Sequence, residues 1–180
     1  MWYNRRLSPL TRAHWHITSA EFYGHGLTTA NLDLLARFFK KYPGYADRTF
    51  LSVKGGSVPG KLVSDGSRKN LRRSVDAILK ALRGTKRLDL FEPARLDWNY
   101  DIEHYGEVLN ELVKEGKFDY IGLSAVGAET VRRAHKVRSN FFSPTTHIRA
   151  NAYTTNLGHA RRGSRDRSKS SSLRAGNERW

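Results

Sequence analysis

The feature that most constrains the fold of this chain is an alternation of short apolar runs with amphipathic runs between about Ala20 and Ala134. Runs rich in apolar and β-branched residues predict three strands, at residues 49–54, 87–91 and 118–123. Apolar residues at helical spacing predict four helices, at residues 30–41, 67–82, 101–116 and 128–137. The predicted order is therefore a helix followed by three strand–helix units.

Short connections between such units favour right-handed crossovers, which place consecutive strands parallel to one another. We expect the three strands to be adjacent in chain order, with the helices at 67–82 and 101–115 on one outer face. This arrangement fits either a doubly wound sheet or a barrel, and the apolar pattern does not choose between them. Ser67 is the predicted N-cap of its helix, and Gly84 is predicted to lie just past the end of that helix, at C′.

The composition suits one soluble domain with a substantial core, because 38% of the 180 residues are hydrophobic. The chain contains no cysteine, which excludes disulfides and thiolate metal sites. His14 and His16 lack acidic partners, so no metal site is predicted. No run is apolar enough to span a membrane, and the N-terminal segment lacks the apolar core of a secretory signal. We therefore expect a cytoplasmic protein.

The net charge of +15 is concentrated at the two ends of the chain. Residues 17–130 hold 17 basic and 15 acidic residues, whereas residues 131–180 hold 12 basic and 2 acidic ones. A nucleic-acid-binding domain usually carries its charge on a folded face. Here the excess lies in a segment, 138–180, whose arginine and serine content predicts disorder. We favour a solvated tail and keep RNA binding through it as an alternative function.

Four parts of the chain resemble motifs of one enzyme family. Residues 19–24 (SAEFYG) resemble a strand end that carries a catalytic tyrosine, and residues 50–56 (FLSVKGG) one that carries a catalytic lysine. Residues 70–75 with 88–92 resemble the helix and strand that follow, and residues 115–124 (EGKFDYIGLS) the strand that holds a nicotinamide. Taken in this order, the chain is similar to the aldo-keto reductases, and most similar to their pyridoxal reductase branch.

This resemblance implies a partial (β/α)8 TIM barrel that uses NADP to reduce a small carbonyl substrate, a pyridoxal-like aldehyde, to an alcohol. It implies that Tyr23 donates the proton and that Lys54 assists, since an ammonium group stabilises the phenolate of a weak acid. Thr18 and Ser124 are implied on the cofactor side, with Ser124 bonded to the nicotinamide carboxamide.

The implied reductase domain covers residues 18–137, between an unassigned segment at 1–17 and the basic Ser/Arg-rich tail at 138–180. The first barrel strand is not recognisable in residues 1–17, and the family's later cofactor-binding elements are not recognisable after Val137. A complete barrel of this type needs about 250 residues. We therefore expect impaired activity, with an inactive family fragment that binds no ligand as a further alternative.

Three positions depart from the family pattern. Thr18 stands where the family usually has an aspartate that pairs with the lysine. Ala94 stands where many members have a histidine that orients the carbonyl, and Ala125 where many have an asparagine. The first change removes a charge beside Lys54, and the last weakens the predicted grip on the carboxamide.

Overall fold

The computed structural model describes residues 15–141 and 148–151 of the chain. Strands and helices alternate along it in the order β1 (Trp15–Ala20), α1 (Ala30–Lys41), β2 (Thr49–Gly55), α2 (Arg68–Leu82), β3 (Leu90–Pro93), α3 (Ile102–Lys114), β4 (Tyr120–Ser124), α4 (Ala128–Phe141) and β5 (Ile148–Asn151). One 3-10 turn, Pro43–Tyr45, lies between α1 and β2. Among the described residues no helix is both long and apolar enough to cross a membrane.

The strands form one parallel sheet in the order β1-β2-β3-β4-β5. A doubly wound sheet reverses its strand order at a switch point, whereas a barrel adds each strand beside the previous one. The sequential order therefore identifies an α/β fold with part of a (β/α)8 barrel. The prediction that the strands near 49–54, 87–91 and 118–123 are adjacent and parallel is confirmed.

The helices cover one face of the sheet and create the main core. Alternate residues of the strands point toward the helices, and these residues share a buried cluster with the apolar stripes of α2 and α3. The cluster includes Leu51, Val53, Phe91, Ile121, Val75, Ile78, Val108 and Leu112. The opposite face carries a smaller buried group, Phe50, Leu90 and Tyr120, which lies on the concave side of the partial barrel.

The structure confirms both predicted boundaries of α2. Ser67 is the N-cap, and its Oγ accepts a hydrogen bond from the Asn70 backbone N–H at 3.2 Å, which confirms the prediction. At the other end Arg83 is the first residue in the left-handed conformation, with φ 53°, and Gly84 follows with φ 69°. Arg83 is the C-cap of the helix, so Gly84 stands at C′, which confirms the second prediction.

Two predictions about the strands were wrong. The first described element is a strand, β1, rather than a helix, and its first three residues lie in the segment 1–17. The apolar pattern misses this strand because three of its six residues, His16, Thr18 and Ser19, are polar. Strand β3 begins at Leu90 rather than residue 87, because the Asp89 carboxylate accepts the Leu51 N–H and the Lys86 ammonium just before the strand.

The expectation of little regular structure from residue 138 onward was wrong for residues 138–141 and 148–151. The first group extends α4, and the second is β5, which pairs with β4 from Ile121 to Ser124. A strand edge offers unpaired backbone groups to any neighbouring segment, so pairing depends little on side-chain composition. The rest of the predicted tail, residues 142–147 and 152–180, lies outside the described residues, as do residues 1–14 with His14.

Candidate active site

A cavity of about 520 Å³ opens where β1, β2 and β3 end. Its walls come from the segments that follow these three strands, namely Ala20, Glu21, Phe22, Tyr23, Lys54, Gly55, Ser57, Leu62, Ser64, Ala94 and Arg95. The carboxyl ends of the strands are the face on which barrel enzymes carry their active sites. The cavity is therefore the first candidate for a catalytic site.

Both predicted catalytic residues line this cavity. Tyr23 lies three residues beyond the end of β1 and is 62% exposed. Lys54 is on β2, half-buried, and is flanked in the sheet by Ala20 of β1 and Glu92 of β3. Since paired residues of parallel strands project to the same face, Lys54 and Glu92 both face the concave side. The structure thus brings the two predicted catalytic side chains to one cavity.

Neither of the two predicted cofactor-side residues lines this cavity. Thr18 is exposed on β1, pairs with Ser52, and is not among the residues that line the cavity. Ser124 ends β4 and is 1% exposed. Its Oγ is buried and has no hydrogen-bond partner within the part of the chain that the structure describes. A buried hydroxyl without a partner is costly unless another group supplies one.

A second cavity of about 440 Å³ adjoins the first and shares Ser64 and Arg95 with it. It also reaches the segment after β4, at Ala125, Val126 and Gly127, next to Ser124. The two cavities therefore connect the end of β2 with the end of β4. Ala94 lines the first of them, so no side chain from that position can polarise a bound carbonyl.

The Tyr23 segment is held in place by Asn31, a residue that no motif in the sequence singled out. Asn31, in the first turn of α1, accepts a hydrogen bond from the Tyr23 N–H at 3.1 Å. Its amide nitrogen donates to the Ala20 carbonyl at 2.6 Å and to the Ser19 Oγ at 2.9 Å. One amide side chain thus fixes both the end of β1 and the residue proposed as the acid.

A second unpredicted group supports the cavity wall from behind. The Glu21 carboxylate is 1% exposed and forms an ion pair with Arg73 of α2 at 2.6 Å. The Ser74 hydroxyl donates to the same carboxylate. The only sequence signal for this contact was an acidic residue two positions before Tyr23, and nothing in the sequence indicated its partner 52 residues away.

The loops that follow β2 and β3 are joined at the outer rim of the site. The Asp97 carboxylate accepts the backbone N–H of Asn99 at 3.0 Å and that of Gly66 at 3.2 Å. These hydrogen bonds, that from Asn99 first, lower the pKa of Asp97. The Tyr105 hydroxyl accepts the Asp97 N–H at 2.7 Å, and burial raises the pKa of this phenol. Asp97 is therefore a structural carboxylate that links the two loops.

Comparison with known proteins places this geometry in a family. Residues 12–150 match the model of the aldo/keto reductase family. The chain is 45% identical over 121 residues to "Probable pyridoxal reductase 2" of Schizosaccharomyces pombe, covering 67% of this chain and 36% of that protein. It is 33% identical over 122 residues to the L-glyceraldehyde 3-phosphate reductase of Escherichia coli K12, covering 66% and 34% of the two chains.

A third relative is an aldo-keto reductase of Schizosaccharomyces pombe, yakc, whose name specifies NADP(+). It is 33% identical over 123 residues, which cover 66% of this chain and 35% of that protein. The chain thus spans about a third of the length of these relatives. The family match extends beyond both ends of the predicted domain 18–137, and it includes β1 and most of β5. The chain belongs to the aldo/keto reductase family.

Proposed function

We propose that this chain is an NADP-dependent oxidoreductase that reduces a pyridoxal-like aldehyde to the corresponding alcohol. The observation that carries the proposal is that Tyr23 and Lys54 line one cavity at the carboxyl ends of neighbouring strands. In the reduced form, the nicotinamide would supply the hydride that is added to the carbonyl carbon. The protein must then supply a proton to the carbonyl oxygen and hold the aldehyde against that donor.

Tyr23 is the proposed proton donor. A tyrosine phenol is a weak acid, with an ordinary pKa of about 10, so proton transfer at neutral pH needs help from a nearby positive charge. Lys54 is one of two cations on the same cavity wall, with Arg95, and its ammonium group would stabilise the phenolate left after transfer. The carbonyl oxygen would therefore bind at the Tyr23 end of the cavity.

Ser124 fits the amide end of the proposed cofactor. Its buried hydroxyl lacks a partner among the described residues, and a carboxamide offers both a donor and an acceptor to such a group. Ser124 would then hold the carboxamide, next to the second cavity at Ala125. Thr18 is exposed and outside the cavity wall, so we propose no direct hydrogen bond from it to the cofactor or to Lys54.

The exposure of Tyr23 bears on the rate. At 62% exposure the phenol is in contact with water, and water screens the interaction between an ammonium group and a phenolate. We therefore propose a slow reductase. The small-carbonyl substrate class is supported by the names of the pyridoxal and glyceraldehyde phosphate reductases among its relatives.

The test is a steady-state assay of the full chain with NADPH and pyridoxal. Tyr23→Phe removes the proton donor, and we expect kcat to fall by about a hundredfold or more. Lys54→Met removes the assisting charge while keeping the length of the side chain, and a comparable loss is expected. Tyr42→Phe is the matched control, because Tyr42 is also exposed but lies at the opposite end of the sheet, beyond α1.

Three outcomes decide the proposal. Turnover that both cavity substitutions abolish and Tyr42→Phe leaves unchanged would support it. Turnover that survives Tyr23→Phe would show that the proton donor is wrong. No turnover by the unsubstituted chain, together with no quenching of tryptophan fluorescence by NADPH, would support the alternative of a family member that binds no cofactor.

A further inference from the structure

We propose that Arg73 is a positioning residue, which fixes the segment carrying Tyr23 against the strand end carrying Lys54. The inference rests on the proposed reductase function and assigns it an additional residue. Arg73 lies on α2, on the outer side of the sheet. It reaches the site through hydrogen bonds to the Glu21 carboxylate and the Ser57 carbonyl.

The first contact joins the two segments directly. Glu21 follows β1 and precedes Tyr23 by two residues, and its backbone N–H donates to the Lys54 carbonyl at 2.7 Å. The peptide of Glu21 is thereby attached to the peptide of Lys54. A backbone bond alone leaves the Glu21 side chain free to rotate, so the direction of the segment depends on what holds its carboxylate.

Arg73 holds the Glu21 carboxylate and, at Ser57, the loop that follows β2. Its Nη1 donates to Glu21 Oε1 at 2.6 Å, and its Nη2 donates to the Ser57 carbonyl at 2.8 Å. Its Nε donates to Asn70 Oδ1 at 2.8 Å, which fixes the plane of the guanidinium group. The rigid fork of an arginine can satisfy these three acceptors together, whereas the single ammonium group of a lysine cannot hold the same planar geometry.

Ser74 completes the link one residue further along α2. Its Oγ accepts the Gly56 N–H at 2.9 Å and donates to the Glu21 carboxylate. At Gly55, next to Lys54, a Cβ atom would collide with this hydroxyl and with the Phe91 ring, so strand and helix are in close contact there. The connection from Glu21 to residues 55–57 is therefore short and has every member hydrogen-bonded.

Among the described residues, no side-chain contact of comparable strength holds Lys54. Among the described residues it forms no ion pair with a carboxylate, and Thr18 contributes no charge on the neighbouring strand. Its position relative to Tyr23 must then come from the backbone on either side of it. The Glu21–Arg73–Ser74 group supplies this support, since it contacts both segments.

The test is Arg73→Lys in the full chain, with Arg72→Lys as the matched control. Arg73→Lys keeps a cation for Glu21 but loses the planar fork, so we expect kcat for NADPH and pyridoxal to fall about ten- to a hundredfold with KM within about twofold. Arg72 is adjacent on the same helix, pairs with Glu115 instead, and does not line the cavity, so its substitution should leave both constants unchanged.

Amide hydrogen exchange gives a second measurement that does not depend on turnover. The N–H groups of Gly56 and Asp65 bond to Ser74 Oγ and to the Gly56 carbonyl, so their exchange reports on the loop that Arg73 holds. We expect it to rise about tenfold in Arg73→Lys and to stay unchanged in Arg72→Lys. Glu21→Gln keeps the shape of the side chain and removes its charge, and it should reproduce the kcat loss if Arg73→Lys fails to fold.

An unchanged kcat in Arg73→Lys and Glu21→Gln, or an equal loss in Arg72→Lys, would overturn the proposal. A KM that rises while kcat is unchanged would also overturn it, because that pattern indicates substrate binding rather than alignment. If the unsubstituted chain shows no turnover, the proposed function fails, and exchange alone then decides whether Arg73 holds the loop. Equal exchange in all variants would rule the network out.

Discussion

Two adjacent arginines on α2 show how differently one residue type can serve the same fold. Arg72 and Arg73 have nearly equal exposure, 35% and 32% of the side chain, and each forms an ion pair with a glutamate. The partner of Arg72 is Glu115, which is 40% exposed at the end of α3, whereas the partner of Arg73 is Glu21, which is 1% exposed beneath the cavity. The burial of the carboxylate distinguishes the two pairs.

Arg72 belongs to a row of ion pairs between α2 and α3. Arg68 pairs with Glu107 at 3.0 Å and also with Glu111, and Lys117 pairs with Asp76 at 2.5 Å. Exposed pairs of this kind contribute little to stability because water and salt screen them. The row therefore adds little to a helix interface that is already held by its apolar core, whereas Arg73 links the segment after β1 to the loop after β2.

The largest expected effect is on stability when one member of the buried pair is removed. Arg73→Ala leaves the Glu21 carboxylate buried without its cation, and we expect the free energy of unfolding to fall by about 3 kcal/mol. This loss is at the lower end of the range usual for a broken buried ion pair, because water can reach part of the space that the arginine vacates. Urea unfolding measures it, with Arg72→Ala as the control. Equal losses in the two variants would remove the distinction between the pairs.

A smaller effect is expected at the start of α2, which carries both arginines. Ser67→Ala removes the hydroxyl that accepts the Asn70 N–H, and we expect a loss of about 1 kcal/mol in urea unfolding. Thr29→Ala is the comparison, because Thr29 is the N-cap of α1 but makes no capping hydrogen bond with its side chain. A larger loss for Thr29→Ala would show that the capping bond is not what stabilises the start of α2.

The smallest effect on stability is expected for Glu115, the exposed partner of Arg72. The hydrogen bond from Arg72 lowers the pKa of Glu115, so the folded state favours the charged form. This contribution is present above the unfolded pKa of a glutamate and is lost as the pH falls through the lowered folded value. Glu115→Gln should therefore be slightly less stable than the unsubstituted chain at pH 7 and equally stable in acid.

Salt provides the control for that prediction, because added salt should shrink the difference at pH 7. A difference that persists in acid or in concentrated salt would mean that Glu115 contributes by packing rather than by charge. The same salt titration on Arg73→Ala should leave most of its loss in place, since a buried charge is screened much less than an exposed one.

Several parts of the fold could be predicted from the sequence because they depend on local patterns. The helix at 30–41 has the predicted bounds, and Ser67 caps α2 as expected, since helical spacing and capping chemistry are properties of neighbouring residues. The apolar pattern missed β1, whose polar residues interrupt it although the motif at residues 19–24 implied a strand end there, and it missed β5 because strand pairing uses the backbone. Both lie at the ends of the described sheet.

Some residues of the candidate site could likewise be selected from the sequence, and others could not. Tyr23, Lys54 and Ser124 were selected from motifs in the sequence, and the structure brings the first two to one cavity and leaves the Ser124 hydroxyl buried without a described partner. Arg73 could not be selected because it meets Glu21 across 52 residues, and Asn31 because it reaches Tyr23 across eight residues and a loop, a spacing that no helical or capping pattern has. No local pattern encodes such a contact.

The sequence by itself determined the alternation of strands and helices, the capping of α2 and the family motifs that indicate the chemistry. The tertiary structure alone decided the register of the strands, the pairing of β5 with β4, and which arginine has a buried partner. The physical reason is one of range. Helical periodicity and caps arise within a few residues, whereas burial of a charge depends on which distant segments come together around it.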